Sequence, residues 1–334
     1  MQGDLAAIVG KVLGGRYRVL RPIGAGGMGA VFEAEQLDLG RRVAVKVLLD
    51  LEGRSIARLR QEATSAGSLQ SPHVVTILDF QMNEGEPPFI VMELLPGESL
   101  ATLLRRERPL EPIRAVRIAS QMLVGLDVAH RAGITHRDIK PSNVWLVRSL
   151  DGDEHVKLLD FGIAKVPEDS GGVRTTTGAI LGTPSYLAPE QVRGWPADPR
   201  SDLHAVGVVL FEMLTGTKPW STVGPGLFME ILERRPPPVQ AIVPSIPASV
   251  SNVVERALSK DPAARFASAI EMRVALMAEM GTGGSSIPAR GPLAEGTRID
   301  PRSSFMVAPT GPAGAQAPAK GRALVFLLAT TIVL

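Results

Sequence analysis

Between Arg16 and Val47 apolar positions alternate with polar ones or cluster in short β-branched runs, separated by glycine-rich turns. That pattern predicts a meander of strands. From Arg54 to Leu69 the period changes: Ile56, Leu59, Ala63 and Ala66 recur at helical spacing among charged residues, so one amphipathic helix interrupts the sheet. Strand patterning returns over Val74 to Phe80 and Phe89 to Glu93. Pro96-Gly97 marks a turn, and beyond it the helical period dominates, most clearly from Ile113 to His130 and from Ser201 to Thr215. The order predicts an α+β chain. A small strand-rich lobe with one helix (16–94) meets a hinge near Leu94 to Gly97, followed by a larger, mainly helical lobe (97–280).

After Met280 the texture shifts to glycine and serine and then to repeated proline, alanine and glycine up to Arg322. Residues 281–322 hold too few large apolar side chains to offset chain entropy, which predicts a linker without packed structure. The last run, 323–334, is uncharged and follows Lys320 and Arg322. Its 12 residues would reach roughly 18 Å as a helix, against a hydrocarbon core roughly 30 Å thick. Two readings stay open: a membrane helix cut inside its span, which is favoured, or a short hydrophobic plug for another surface. In the first, the preceding basic residues place the rest of the chain on the cytoplasmic side, tethered to the cell's inner membrane. The N-terminal lead, 1–15, carries Asp4 near its start and Lys11 near its end, which is not the basic-then-apolar order of a signal peptide.

Composition removes several classes of function. A chain of 334 residues, 45% hydrophobic, can bury a substantial core. With 36 basic against 34 acidic residues the net charge is +2, so no global field favours nucleic acid as a partner. The absence of cysteine excludes disulfides, a thiol nucleophile and thiolate metal ligation, and suits a reducing cytoplasm.

The candidate chemistry lies in short motifs. Gly24-x-Gly26-x-x-Gly29-x-Val31 is ambiguous alone, because the same spacing opens a helix in dinucleotide-binding folds. Here Val31 to Glu35 continues as a strand, so the glycines sit in a hairpin whose backbone can close over phosphates. In Val43-Ala-Val-Lys46 the period of two puts Ala44 and Lys46 on one strand face. The stretch His136-Arg-Asp-Ile-Lys-Pro-Ser-Asn143 brings a candidate base, a lysine and a metal-ligating amide into one loop. Asp160-Phe161-Gly162 and Ala188-Pro189-Glu190 follow in order.

On these motifs the chain, from about Arg16 to about Met280, resembles the bacterial eukaryotic-like (Hanks-type) serine/threonine protein kinases. The resemblance implies the bilobal protein-kinase fold, ATP and Mg2+ as cofactors with Mn2+ as a substitute, and protein substrates. Asp138 would orient the acceptor hydroxyl and Lys140 neutralise the transferred phosphate, while Asn143 and Asp160 supply hard oxygen ligands to the metal. Lys140, two residues after Asp138, goes with serine and threonine acceptors in that family. Lys46 would hold the α/β phosphates with Glu62 as its carboxylate partner, Glu52 being the nearby rival. Adenine would lie among Ile23, Gly24, Ala25, Gly26, Gly27, Met28, Gly29, Val31 and Ala44 above, with hinge backbone at Glu93 and Leu95 and Met92 as gatekeeper. Trp145 would form the floor, where the family more often has an aliphatic residue; its ring either stacks on the purine or turns partly into the core.

The same resemblance implies that His136 and Phe161 pack as core residues, that Glu190 pairs with Arg265, and that Asp202 ties a large-lobe helix to the catalytic loop. Arg137 beside Asp138 implies switching by phosphate on the activation segment, with Thr175 and Thr177 as the acceptors and Thr183 shaping the substrate pocket. It also allows a homodimer through the small lobe. Two alternatives remain: a pseudokinase that senses nucleotide or acts as a scaffold, and a small-molecule kinase of related fold.

Overall fold

The structure, a computed structural model, describes residues 7–26, 29–49, 56–148, 152–161 and 184–278. They all belong to one compact unit, residues 1–285. Its smaller lobe is built on a six-stranded antiparallel sheet of order β1-β2-β3-β4-β6-β5. The strands are β1 (Val12–Leu13), β2 (Tyr17–Gly26), β3 (Gly29–Gln36), β4 (Arg41–Leu48), β5 (Ile77–Gln81) and β6 (Phe89–Glu93). Strict alternation along β3 buries Ala30, Phe32 and Ala34 against Val43, Val45, Val47, Phe89 and Val91. Ile8 and Leu13 join that cluster, so the small-lobe core begins upstream of Arg16. Helix α1 (Ile56–Gly67) lies against β5 and buries Ala63 and Ala66, the two alanines of the expected inward stripe.

The strand expected from Val74 starts instead at Ile77. The backbone just before it is taken by the large lobe. Leu158 N–H donates to the His73 carbonyl, Val75 N–H donates to the Leu158 carbonyl, and Val74 forms a single parallel bridge with Leu158. Those peptide groups therefore cannot also extend the β5 ladder.

The larger lobe carries a three-stranded sheet, β7 (Glu98–Ser99), β8 (Val144–Arg148) and β9 (Glu154–Leu158), beside its helices. Helix α2 (Leu100–Arg106) starts on Ser99, whose hydroxyl accepts the Thr102 N–H. Helix α3 (Pro112–Arg131) opens on a Glu111 side-chain cap with proline in its first turn. A short α4 (Pro189–Val192) leads to α5 (Pro199–Thr215), capped by Asp198 and stopped by Gly216 in the left-handed region. Every residue of α5 from Ser201 to Thr215 is buried, the mark of a helix packed on all sides. Against it pack α3, α7 (Val239–Ile242) and α8 (Ala248–Ala257), while α6 (Pro225–Glu233) lies on α4 and α9 (Ala269–Ala278) on α3 and α8. No helix among the described residues is long and apolar enough to cross a membrane, and 323–334 lies outside them.

Candidate active site

The cleft between the lobes collects the motif residues. On its upper side Gly26 pairs with Gly29 to close the β2–β3 hairpin that carries Gly24 and Ala25, while Ile23 is exposed at its edge. Gly29 has φ +152°, and a Cβ there would come 2.0 Å from the Val47 carbonyl oxygen, so only glycine lets the hairpin settle onto β4. Gly27 and Met28 lie outside the described residues. Val31 is half-buried and Ala44 buried, and Lys46 leaves β4 toward the cleft with 12% of its side chain exposed.

Lys46 Nζ stands 2.6 Å from Asp160 Oδ1. Among the described residues this is the carboxylate that holds the ammonium. Glu62 is on α1, but its side chain is outside the described residues, as is Glu52.

The catalytic loop is held from below by one buried carboxylate. Asp202, on α5 and 1% exposed, accepts the His136 and Arg137 N–H groups, each at 2.8 Å, and the His130 ring nitrogen at 2.8 Å. That grip bends the loop: Arg137 has φ +62°, a left-handed conformation that costs a non-glycine residue about 1–2 kcal/mol. His136 is fully buried, and burial pushes its pKa down. As a neutral ring it donates from Nε2 to the Leu159 carbonyl at 2.8 Å and accepts the Asp138 N–H at Nδ1, 3.3 Å away. Its ring meets Phe161 with centroids 4.5 Å apart, so the expected core packing of the two forms.

Asp138 is thereby presented to the cleft with its neighbours ordered around it. Lys140 Nζ lies 2.8 Å from Asp138 Oδ2, and Asn143 Nδ2 donates to that same oxygen at 3.0 Å and to the Asp138 carbonyl at 2.9 Å. With its nitrogen committed, the Asn143 amide has its oxygen left as a ligating atom, with only a long 3.5 Å hydrogen bond from the Ser142 hydroxyl among the described residues. Asp160, φ +56°, is the other strained residue of the site and aims its carboxylate at Lys46. Asn143 and Asp160 thus offer two hard oxygen donors from separate loops, a set that fits a divalent cation shared with phosphate oxygens.

At the back of the cleft Met92 lines a narrow crevice with Asp160 and Phe161. Leu95, in the hinge, makes no backbone hydrogen bond with any described residue, which leaves its N–H and carbonyl for a ligand. Glu93 N–H is already spent on the Thr76 carbonyl. Trp145 is half-buried, and its indole N–H donates to the Pro96 carbonyl at 3.0 Å.

Glu190 and Arg265 form the expected pair, with two hydrogen bonds of 2.7 and 2.8 Å in the large-lobe core. Gln191, which no motif flagged, donates to the Arg137 carbonyl at 3.2 Å. His130 and Lys157 were likewise missed: one reads as a residue near the end of an amphipathic helix, the other as a charged strand position. Gly162, Thr175, Thr177 and Thr183 lie outside the described residues.

Known proteins agree with this arrangement. The protein kinase domain family matches residues 17–275. The serine/threonine-protein kinase pkn3 of Myxococcus xanthus is 43% identical over 283 residues, covering 82% of this chain and 52% of that protein. PknA of Mycobacterium tuberculosis, also a serine/threonine-protein kinase, is 40% identical over 268 residues, 78% of this chain and 60% of that one. The chain therefore spans about half the length of such relatives. The crystal structure of the Mycobacterium tuberculosis PknI kinase domain superposes with a TM-score of 0.64 at 27% identity, covering 81% of this chain and 98% of that one. With the glycine hairpin, Lys46, the Asp138 loop and Asp160 assembled in one cleft of the same fold, the chain belongs to the protein kinase family.

Proposed function

We propose that this chain is a serine/threonine protein kinase, transferring the γ-phosphate of ATP to serine and threonine hydroxyls of proteins. The observation that carries this reading is the Asp138 carboxylate, bracketed by Lys140 and Asn143 on a loop pinned by Asp202, with His136 of that loop packed on Phe161 next to the Asp160 that pairs with Lys46. Protein kinases use ATP and a divalent metal, and Asn143 and Asp160 are the residues to hold that metal, Mg2+ in this proposal. When bound, the cation neutralises phosphate charge. Asp138 orients the acceptor hydroxyl and takes up its proton, work worth about 10²- to 10⁴-fold in rate. Lys140 stands beside it to balance the charge on the moving phosphoryl group, and Lys46 fixes the phosphates from the opposite wall. Leu95 offers the base its free peptide edge, over the Trp145 ring.

The pseudokinase alternative is not favoured, since Lys46, Asp138, Asn143 and Asp160 are all present and converge on one cleft. Autophosphorylation on Thr175 and Thr177, anchoring of 323–334 in a membrane, and a signalling role belong to the same proposal. The relatives that support it are named as serine/threonine kinases.

The test is transfer of labelled γ-phosphate to a generic protein substrate and, in parallel, to a panel of small hydroxylated metabolites. Label recovered as phosphoserine and phosphothreonine from protein supports the reading. Label on the metabolites alone would replace it with a small-molecule kinase.

A further inference from the structure

Two side chains of the large lobe grip the hinge from below, and neither belongs to a catalytic motif. Trp145 on β8 and Lys157 on β9 stand directly opposite one another in the antiparallel ladder, so both leave the same face of the sheet. Trp145 donates its indole N–H to the Pro96 carbonyl at 3.0 Å. Lys157 Nζ lies 2.6 Å from Glu93 Oε1 and 3.4 Å from the Val74 carbonyl. That Glu93 oxygen also accepts the Thr76 N–H at 2.7 Å. Gly97 brings the hinge backbone down onto the same strand: its φ is +105°, and a Cβ there would come 2.0 Å from the Leu146 carbonyl oxygen.

Between the two grips lie Leu94 and Leu95, the latter with no backbone hydrogen bond to any described residue. We propose that Trp145 and Lys157 act as a two-point clamp on Pro96 and Glu93, fixing the Leu95 peptide edge against the Trp145 ring and so selecting the base of the nucleotide. This rests on the reading of the cleft as an ATP site. An adenine edge presents a ring nitrogen acceptor beside an exocyclic amino donor, whereas guanine presents a ring N–H beside a carbonyl. A donor held in place accepts the first and rejects the second, because the wrong base leaves buried polar groups unpaired. A hinge free to slide or rotate its peptides discriminates less.

The clamp is more than a surface ion pair. Lys157 and Glu93 are only 18% and 29% exposed. Burial works against the Glu93 charge, yet the Lys157 ammonium and the Thr76 N–H outweigh it and hold the carboxyl below its usual range. The Trp145 indole adds a directional bond at the other end, which a leucine or phenylalanine at this position lacks.

The experiment uses the full chain and its Trp145→Phe, Trp145→Leu, Lys157→Met and Lys157→Arg variants. Calorimetry gives the affinity for ATP and for GTP, steady-state assays give kcat and KM for each, and a melting curve without nucleotide reports stability. Trp145→Phe keeps an aromatic floor and loses one hydrogen bond, so the ATP-to-GTP affinity ratio falls about fivefold. Lys157→Met lowers the ratio by a similar factor, and Lys157→Arg restores most of it. Trp145→Leu loses the same hydrogen bond and the ring as well, so its ratio falls as in Trp145→Phe while the affinity for both nucleotides drops further, because stacking serves either base. A merely structural role lowers the melting temperature and leaves the ratio where it was. The proposal is overturned if Trp145→Phe and Lys157→Met both stay within twofold of the unsubstituted ratio. A protein that binds neither nucleotide overturns the ATP-site reading and the clamp together. Binding without phosphate transfer removes the catalytic reading alone, and the ratio still decides the clamp.

Discussion

Arg265→Met is expected to be among the most destabilising single substitutions in the large lobe. The guanidinium uses all five of its N–H groups. Two meet Glu190 at 2.7 and 2.8 Å, and the others reach the carbonyls of Ser259 at 2.8 Å, Arg200 at 3.1 Å and Lys260 at 3.3 Å. Its side chain is fully buried and that of Glu190 is 6% exposed. Burial alone would raise the Glu190 pKa, and the Arg265 hydrogen bonds and charge reverse this, holding it below its usual value. Methionine fills the stem's volume but leaves a buried carboxylate with the Ser201 hydroxyl, 2.6 Å away, as its remaining side-chain partner. Breaking one side of such a pair costs about 3–5 kcal/mol, a fifth or more of the roughly 5–15 kcal/mol that holds a domain together. Chemical denaturation followed by fluorescence measures it, with the denaturant slope checked for constancy. The double variant Glu190→Leu, Arg265→Met is the control. Removing both charges relieves the stranded carboxylate, so the double variant is more stable than Arg265→Met alone. A single-variant cost below about 1 kcal/mol, or a double variant less stable than the single, would refute the reasoning.

His204 predicts a pH dependence. Its ring is fully buried with neither nitrogen partnered among the described residues, and burial, then the charges of Arg265 and Lys260, hold its pKa well below the ordinary value. The unfolded chain takes up a proton near pH 6.5 that the folded ring refuses, so this contribution is complete above that pH and is lost below it, by up to ~1.4 kcal/mol per pH unit. His136 acts in the same direction. His204→Phe should flatten the stability curve between about pH 5 and 6.5 by one proton's worth; an unchanged slope contradicts the assignment. Gly97→Ala forces a Cβ toward the Leu146 carbonyl at 2.0 Å from a left-handed backbone, and should cost about 1–3 kcal/mol and weaken ATP binding. A melting temperature and an ATP affinity both equal to those of the unsubstituted protein would show that the hinge yields freely. Asp202→Ala strands the His136 and Arg137 N–H groups and the His130 ring in the core, and should abolish transfer while destabilising the fold by several kcal/mol, on the order of 1–3 per orphaned donor. Full activity in a folded Asp202→Ala protein would mean that the catalytic loop needs no anchor.

Much of this was legible in the residues themselves. The alternation of Val31 to Glu35 and the short β-branched runs gave the small-lobe strands, because half-buried sheet enforces a period of two. The long helices at Pro112–Arg131 and Pro199–Thr215 were visible to within two residues, since their apolar period runs unbroken up to proline and glycine boundaries. The catalytic loop could be read because its chemistry is local: Asp138, Lys140 and Asn143 lie within six positions and meet without help from distant chain. Relations across the fold were harder. The Val74 backbone patterned as strand but is claimed by Leu158, a partner that lies 84 positions away and leaves no trace in local period. Glu62, read as the partner of Lys46 from its inward turn beside Ala63 and Ala66, has its side chain outside the described residues; the described partner is Asp160, brought in by the loop after β9, which no local spacing announces. Trp145 stood out as an unusual floor residue, but its bond to Pro96 depends on how β8 lies under the hinge, which no spacing encodes. Lys157 and Gln191 carry no motif at all and acquire meaning only from what the fold sets beside them.

The central claim, that Asp138 drives phosphate transfer from ATP, is tested most directly by intact mass. The chain and its Asp138→Asn variant are each incubated with ATP and Mg2+, and the mass is read before and after, with the added groups mapped by peptide sequencing. The account predicts phosphate on the unsubstituted protein alone, at Thr175 or Thr177. Equal phosphate on both proteins, or none on either despite ATP binding and with a generic protein substrate also left unmodified, would contradict it.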